Sequence, residues 1–129
     1  MKRWRWLRLD VLHAAHDRQL AEHGGLGGVG DASALESAMA RPQRQAAYGK
    51  PDAASLAAAY AYGLVRNHGF VDGNKRTAWV MARLFLVEHG YRLQFDPPDA
   101  IRMMEAIAAG TLTEDQIAAW FRQRIRKLS

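Results

Sequence analysis

The stretch AASLAAAYAYGLVRNHGFVDGNKRTAWVMARLFLVEHG, residues 53–90, holds two apolar patterns separated by six residues. In the first, Leu56, Tyr60 and Leu64 recur every fourth position and fall on one helical face. Asp52 stands in front as an N-cap, and the pattern runs to about Asn67. The second runs from about Asn74 to His89. Its Trp79, Val80, Met81, Leu84, Phe85, Leu86 and Val87 are apolar almost all round, which predicts the central buried helix. Gly90 follows as its C′ residue. Two helices therefore meet at the centre of a bundle, joined by residues 68–73.

Upstream, Leu9, Leu12, Ala15 (or His16) and Leu20 predict a helix from about Asp10 to just before Gly24 and Gly25. Residues 25–30 formally match G-x-G-x-x-G. They follow a helix rather than a strand, with no βαβ unit around them, and read as a connector. His13, His16 and Asp17 read as ordinary helix side chains rather than a metal cluster. Ser33 with Glu36 has the spacing of a capping box, opening a short helix that ends before Pro42. Residues 42–52, PQRQAAYGKPD, read as an exposed loop or small hairpin. Downstream, YRLQF (91–95) alternates like a short strand, and Asp96-Pro97-Pro98 opens a helix stopped by Gly110. Thr113 and Gln116 cap a last helix through Ile117, Trp120, Phe121 and Ile125. The expected fold is all-α: a compact helical bundle forming one domain over 1–129.

The 129 residues suit one core. No apolar run reaches the roughly 20 residues of a membrane helix. MKRWRWLRLD lacks the apolar region of a secretory signal. There is no cysteine, which removes disulfides, thiolate metal sites and cysteine nucleophiles and suits a reducing cytoplasm. The net charge of +5, 18 Lys and Arg against 13 Asp and Glu, favours acidic partners. Lys2, Arg3, Arg5 and Arg8 at one end, and Arg122, Arg124, Arg126 and Lys127 at the other, contribute to it. Trp4 and Trp6 among the first cations allow a single-strand nucleic-acid-binding module as the non-enzyme alternative. The favoured reading packs those rings on the bundle, so neither nucleic acid nor membrane is the expected partner.

HGFVDGNKR, residues 68–76, is the part of the chain densest in chemistry. A helix beginning at Asn74 presents unpaired backbone N–H groups and the positive end of its dipole, a ready anion site. Gly73 allows close backbone approach and positive φ. Lys75 and Arg76 put two cations in the first turn, where they oppose the dipole unless a polyanion such as a di- or triphosphate compensates. Asp72 beside bound phosphates makes sense with an intervening cation, and Mg²⁺ accepts one carboxylate plus phosphate oxygens and water. Imidazole titrates near neutrality, so His68 is the candidate base for a hydroxyl nucleophile. Phe70 would turn into the core and anchor the loop. The set describes phosphate-ester transfer.

These residues fill the Fic/Doc motif H-x-F-x-[D/E]-G-N-x-R at every specified position: His68, Phe70, Asp72, Gly73, Asn74 and Arg76. With GGLGGVGD, LESAMARP, AAAYAYGLVRNH and AAGTLTEDQIAAWFR in order, essentially the whole chain resembles the death-on-curing (Doc-type) toxins of toxin–antitoxin modules. The resemblance implies a helical fold that uses ATP, or another nucleoside triphosphate, and Mg²⁺. His68 would deprotonate a Ser, Thr or Tyr hydroxyl of a target protein. Asp72 would hold the metal, and Gly73, Asn74, Lys75 and Arg76 would cradle phosphates. The stretch 43–50 corresponds to a flap, possible as a short β-hairpin, that aligns a target peptide by strand addition through Gln45, Ala46, Ala47 and Tyr48.

Lys75 stands where AMP-transferring relatives carry a second glycine, and Trp79 where they carry a second arginine. Doc-type members share both features, and for them the family reading is γ-phosphoryl transfer. The expectation is a protein kinase acting on translation elongation factor Tu in the cytoplasm, with AMP transfer as the alternative. Gly69 replaces a proline common in relatives and is expected to loosen the loop slightly. The chain contains no Ser/Thr-x-x-x-Glu inhibitory helix, which implies a separate antitoxin.

Overall fold

The computed structural model describes residues 3–128; Met1, Lys2 and Ser129 lie outside the described residues. Helices α1 (Leu9–His23), α2 (Ala32–Tyr48), α3 (Ala53–Asn67) and α4 (Asn74–Glu88) come first. They are followed by strand β1 (Tyr91–Leu93), helices α5 (Pro97–Ala109) and α6 (Glu114–Arg124), and strand β2 (Ile125–Lys127). The bundle is all-α apart from this two-stranded antiparallel ribbon, in which Arg92 faces Arg126.

The helix buried around nearly its whole circumference is α3 rather than α4. Alanines 53, 54, 57, 58, 59 and 61 are all buried, letting α2, α4 and α6 pack close around it. At the α2–α3 crossing a Cβ on Gly63 would stand 3.3 Å from the Ala38 backbone, so a side chain there would push the helices apart by a few tenths of an ångström. Helix α4 buries Thr77, Ala78, Met81, Ala82, Phe85 and Leu86 on one face and leaves Val87 exposed. Its apolar run is thus wider than the face it buries. Asp52 caps α3 by accepting from Ser55 N at 2.9 Å, and Thr113 and Gln116 form both bonds of the expected capping box. Trp4 and Trp6 stack on Phe85 at 6.0 and 6.2 Å between centroids, so both rings are used in packing rather than free to stack on bases.

Three further expectations fail, the first to a neighbouring cap and the other two because a distant contact overrides a local signal. The N-cap of α2 is Asp31, which accepts from Ala34 N at 3.1 Å and from the Ser33 hydroxyl at 2.8 Å, so Ser33 and Glu36 form no capping box. Helix α2 does not end at Pro42 but carries it inside, buried, and continues to Tyr48. Pro42 has no N–H for the carbonyl of Ala38. The turn beyond it is held from α6, where the Glu114 carboxylate accepts from both Arg41 and Gln45, while the Arg41 guanidinium lies 4.9 Å from the Tyr62 ring centre. The last helix stops at Arg124, and Ile125 enters β2 opposite Leu93. Arg124 closes that end by donating to Trp120 O at 2.9 Å and to Asp99 at 2.7 Å.

Candidate active site

The loop 68–73 joins the C-terminus of α3 to the N-terminus of α4. His68 caps α3 with φ 50° and ψ 51°, and among the described residues no other non-glycine has positive φ. A left-handed non-glycine residue stores about 1–2 kcal/mol, and such strain concentrates at functional sites. It turns the chain so that His68 is exposed while Phe70, two residues on, is 2% exposed. Burying that ring contributes about 1.5–3 kcal/mol, enough to fix the loop. The two rings thus lie on opposite sides of the loop, as the motif reading requires.

Asn74 is buried, and its amide works inside the loop. Its Oδ1 accepts from Phe70 N at 3.0 Å, its Nδ2 donates to Phe70 O at 2.9 Å, and Nδ2 stands 3.3 Å from His68 Nδ1. The sequence reading placed Asn74 among the phosphate ligands. With its side chain committed here, its backbone N–H is the group left at the helix start. The first helical bond of α4 is Thr77 N to Gly73 O at 3.0 Å, so the N–H groups of Asn74, Lys75 and Arg76 precede the ladder. Gly73 adopts φ +80°, which a side chain would resist. Lys75 and Arg76 are exposed, and neither is in a salt bridge among the described residues.

Asp72 is exposed beside this start. Its Oδ2 accepts from Leu26 N at 3.2 Å and its Oδ1 from Gly73 N at 2.8 Å. These two backbone bonds, with the nearby Arg76 charge, hold its carboxyl below the usual range against a smaller opposing effect of desolvation, so it is ionised at neutral pH. Each oxygen keeps lone pairs free. Among the described residues no three His, Asp or Glu side chains converge on a metal position. A divalent ion at Asp72 would therefore draw its other ligands from phosphate oxygens and water, the mixture Mg²⁺ takes.

The glycine-rich segment is more than a connector. Gly30 N and Asp31 N donate to Gly69 O at 2.9 and 3.0 Å, and Val71 N donates to Gly28 O at 3.1 Å. A Cβ on Gly25, which has φ +124°, would stand 2.8 Å from Asp72 Oδ2. Glycine there makes room for the carboxylate. Gly69 likewise has a packing reason: a Cβ would lie 2.5 Å from Leu35 Cδ2.

A cavity of about 970 Å³ opens over the helix start. His68, Asp72, Gly73, Asn74, Lys75 and Arg76 line it, and Trp79, Phe95, Ile101 and Met104 supply an apolar wall. Trp79 meets Phe95 edge-on at 5.2 Å and stacks near Phe121 at 6.4 Å, so the ring at the arginine position of AMP-transferring relatives is built into the wall. Arg66 also lines the cavity, a cation the sequence reading missed. It donates to Ala108 O at 3.0 Å at the end of α5; its place two residues before His68 was the available signal.

The flap residues are not brought to this cavity. Gln45, Ala46, Ala47 and Tyr48 form the last turn of α2, and none of them lines it. A helical backbone with its N–H groups spent inside α2 presents no extended edge for strand addition, so the hairpin flap expected at 43–50 is corrected to helix up to Tyr48. Tyr48 itself is 91% exposed.

A family model described as "Fic/DOC family" matches residues 6–86. "Protein kinase doc" of Escherichia phage P1 is 33% identical over 115 residues, covering 88% of this chain and 90% of that protein. "Toxin Doc" of Mycolicibacterium smegmatis is 43% identical over 117 residues, covering 87% of this chain and 86% of that protein.

Proposed function

This chain belongs to the Fic/DOC family, and on that premise we propose that it is a toxin that transfers the γ-phosphoryl group of ATP to a protein hydroxyl. The observation that carries the reading is the arrangement at one cavity: an exposed His68 beside a helix start bearing Gly73, Lys75 and Arg76, with ionised Asp72 next to it. The name of the phage P1 relative supports a kinase.

His68 takes the proton of the target hydroxyl at Nε2, which requires the tautomer with hydrogen on Nδ1. Asn74 Nδ2 is itself a donor, so its 3.3 Å contact with Nδ1, longer than its bond to the Phe70 carbonyl, is given up when Nδ1 carries hydrogen, and the reacting tautomer is not held by Asn74. As the proton leaves, the hydroxyl oxygen bonds to the γ-phosphorus, the bond to the β–γ bridging oxygen breaks, and ADP departs with that electron pair. The N–H groups of residues 74–76 and the Lys75 and Arg76 charges stabilise the phosphates. Mg²⁺ held by Asp72 would neutralise phosphate charge.

The proposed target is translation elongation factor Tu, in the cytoplasm. The proposed regulator is a separate antitoxin protein. Among the described residues no helix is long and apolar enough to cross a membrane. Parallel assays with γ-labelled and α-labelled ATP test the reaction: the γ-label should enter the target, and entry of the α-label alone would establish AMP transfer instead.

A further inference from the structure

We propose that His16, on α1, is a positioning residue for this transfer: it grips the loop from beneath and fixes where Asp72 stands relative to the start of α4. The inference rests on the proposed transfer for its kinetic consequence, but its structural basis is independent of it.

Besides the Tyr60 hydroxyl, the buried polar side chains among the described residues are His16, Asn74 and Thr77, and the first two both hold this loop. The His16 ring lies 3.6 Å from the Phe70 ring with 4° between their planes, a face-to-face stack. His13 meets the same Phe70 ring edge-on at 5.7 Å. His16 Nε2 lies 2.8 Å from the backbone carbonyl of Asp72. A carbonyl oxygen only accepts, so Nε2 is the nitrogen that carries hydrogen. A Cβ on Gly73 would stand 3.5 Å from His16 Cδ2 and 3.6 Å from Nε2, so that residue closes over the ring edge. One imidazole thus contacts Phe70, Asp72 and Gly73. Phenylalanine would supply the plane without the donor, and glutamine the donor without the plane.

This division sets the test. His16→Phe keeps the stack and the fold but leaves the Asp72 carbonyl without its donor. His16→Gln restores a donor of similar reach. With folded protein confirmed by melting, His16→Phe should lower kcat by about 10-fold or more while KM for ATP changes less than about 3-fold, since small misplacement of reacting groups acts on the transition state. His16→Gln should recover at least about 3-fold of that loss. Two readouts need no substrate. Nitrogen NMR of the wild-type chain should place the His16 hydrogen on Nε2, and amide exchange at Val71 and Gly73 should accelerate in His16→Phe without a matching fall in global stability.

A folded His16→Phe protein with wild-type kcat and exchange, or a wild-type ring with its hydrogen on Nδ1 alone, overturns the inference. If the wild-type chain transfers neither label while the exchange and NMR results hold, the proposed transfer fails and the gripping role stands. Equal transfer by wild type and His16→Phe overturns the positioning role alone.

Discussion

Asn74 and Phe70 exchange two hydrogen bonds: Phe70 N donates to Asn74 Oδ1 at 3.0 Å and Asn74 Nδ2 donates back to Phe70 O at 2.9 Å. The backbone of the residue whose ring is buried is thereby tied to the first turn of α4. Asn74→Ala should reduce stability by about 1–3 kcal/mol, because it leaves both Phe70 backbone groups without their partner. Urea unfolding with an unchanged m-value measures the loss. Transfer should fall further than ATP binding does, since the backbone N–H groups survive the change while the loop carrying His68 loses its tie.

Gly69→Ala should destabilise the fold by about 1–3 kcal/mol through overpacking, since the added Cβ would meet Leu35 Cδ2 at 2.5 Å and Cγ at 2.6 Å. The sequence alone made Gly69 a looser stand-in for proline. In the structure it is the space into which Leu35 packs. A thermal melt of Gly69→Ala equal to wild type would contradict that packing.

Gly25→Ala should act on the metal rather than on the nucleotide. Its Cβ would collide with Asp72 Oδ2 at 2.8 Å in a backbone that resists side chains. Displacing the carboxylate should raise the Mg²⁺ concentration needed for half-maximal ATP binding by about 10-fold, the size of loss seen when a group supporting a metal ligand is removed. Calorimetric titration of ATP at a series of Mg²⁺ concentrations measures it, and binding without metal should change little.

Acid stability should depend on Asp52. Its carboxylate pairs with Arg122 at 2.7 Å and caps α3 through Ser55 N at 2.9 Å, and these contacts, the Arg122 bond foremost, hold its carboxyl below the ordinary range. A depressed folded pKa stabilises above the unfolded value near pH 4 and loses that contribution as pH falls toward the folded value. Asp52→Ala, which removes the cap, should cost about 1 kcal/mol at pH 7. The half-exposed ion pair adds little beyond the cap. The gap in melting temperature between wild type and variant should narrow as the pH is lowered to about 3. A gap that widened would reverse the sign of the linkage.

What could be read without coordinates was local. Leu56, Tyr60 and Leu64 mark a helical face, Asp52 and Thr113 mark helix starts, and the order of His68, Phe70, Asp72 and Gly73 marks a loop feeding a helix start. What could not be read depends on residues far apart in the chain. Helix α2 passes through Pro42 because Glu114, 73 residues from Arg41, holds the next turn. Ile125 leaves the last helix because Leu93 is there to pair with it. His16 looks like any helix histidine until the fold stacks it on Phe70. The glycines at 25–30 look like a connector until Leu26 N meets Asp72. Val87 and its neighbours are apolar, which makes α4 read as the more buried helix, whereas alanine is what allows α3 to be enclosed.

The measurement that bears most directly on the proposed reaction is intact-mass analysis of elongation factor Tu incubated with ATP, Mg²⁺ and either the wild-type chain or His68→Ala. The expected result is a gain of one phosphate with the wild type and about 10²–10⁴-fold slower modification with His68→Ala, the usual consequence of removing a general base. A gain of one adenylate, or equal modification by the two proteins, would contradict it.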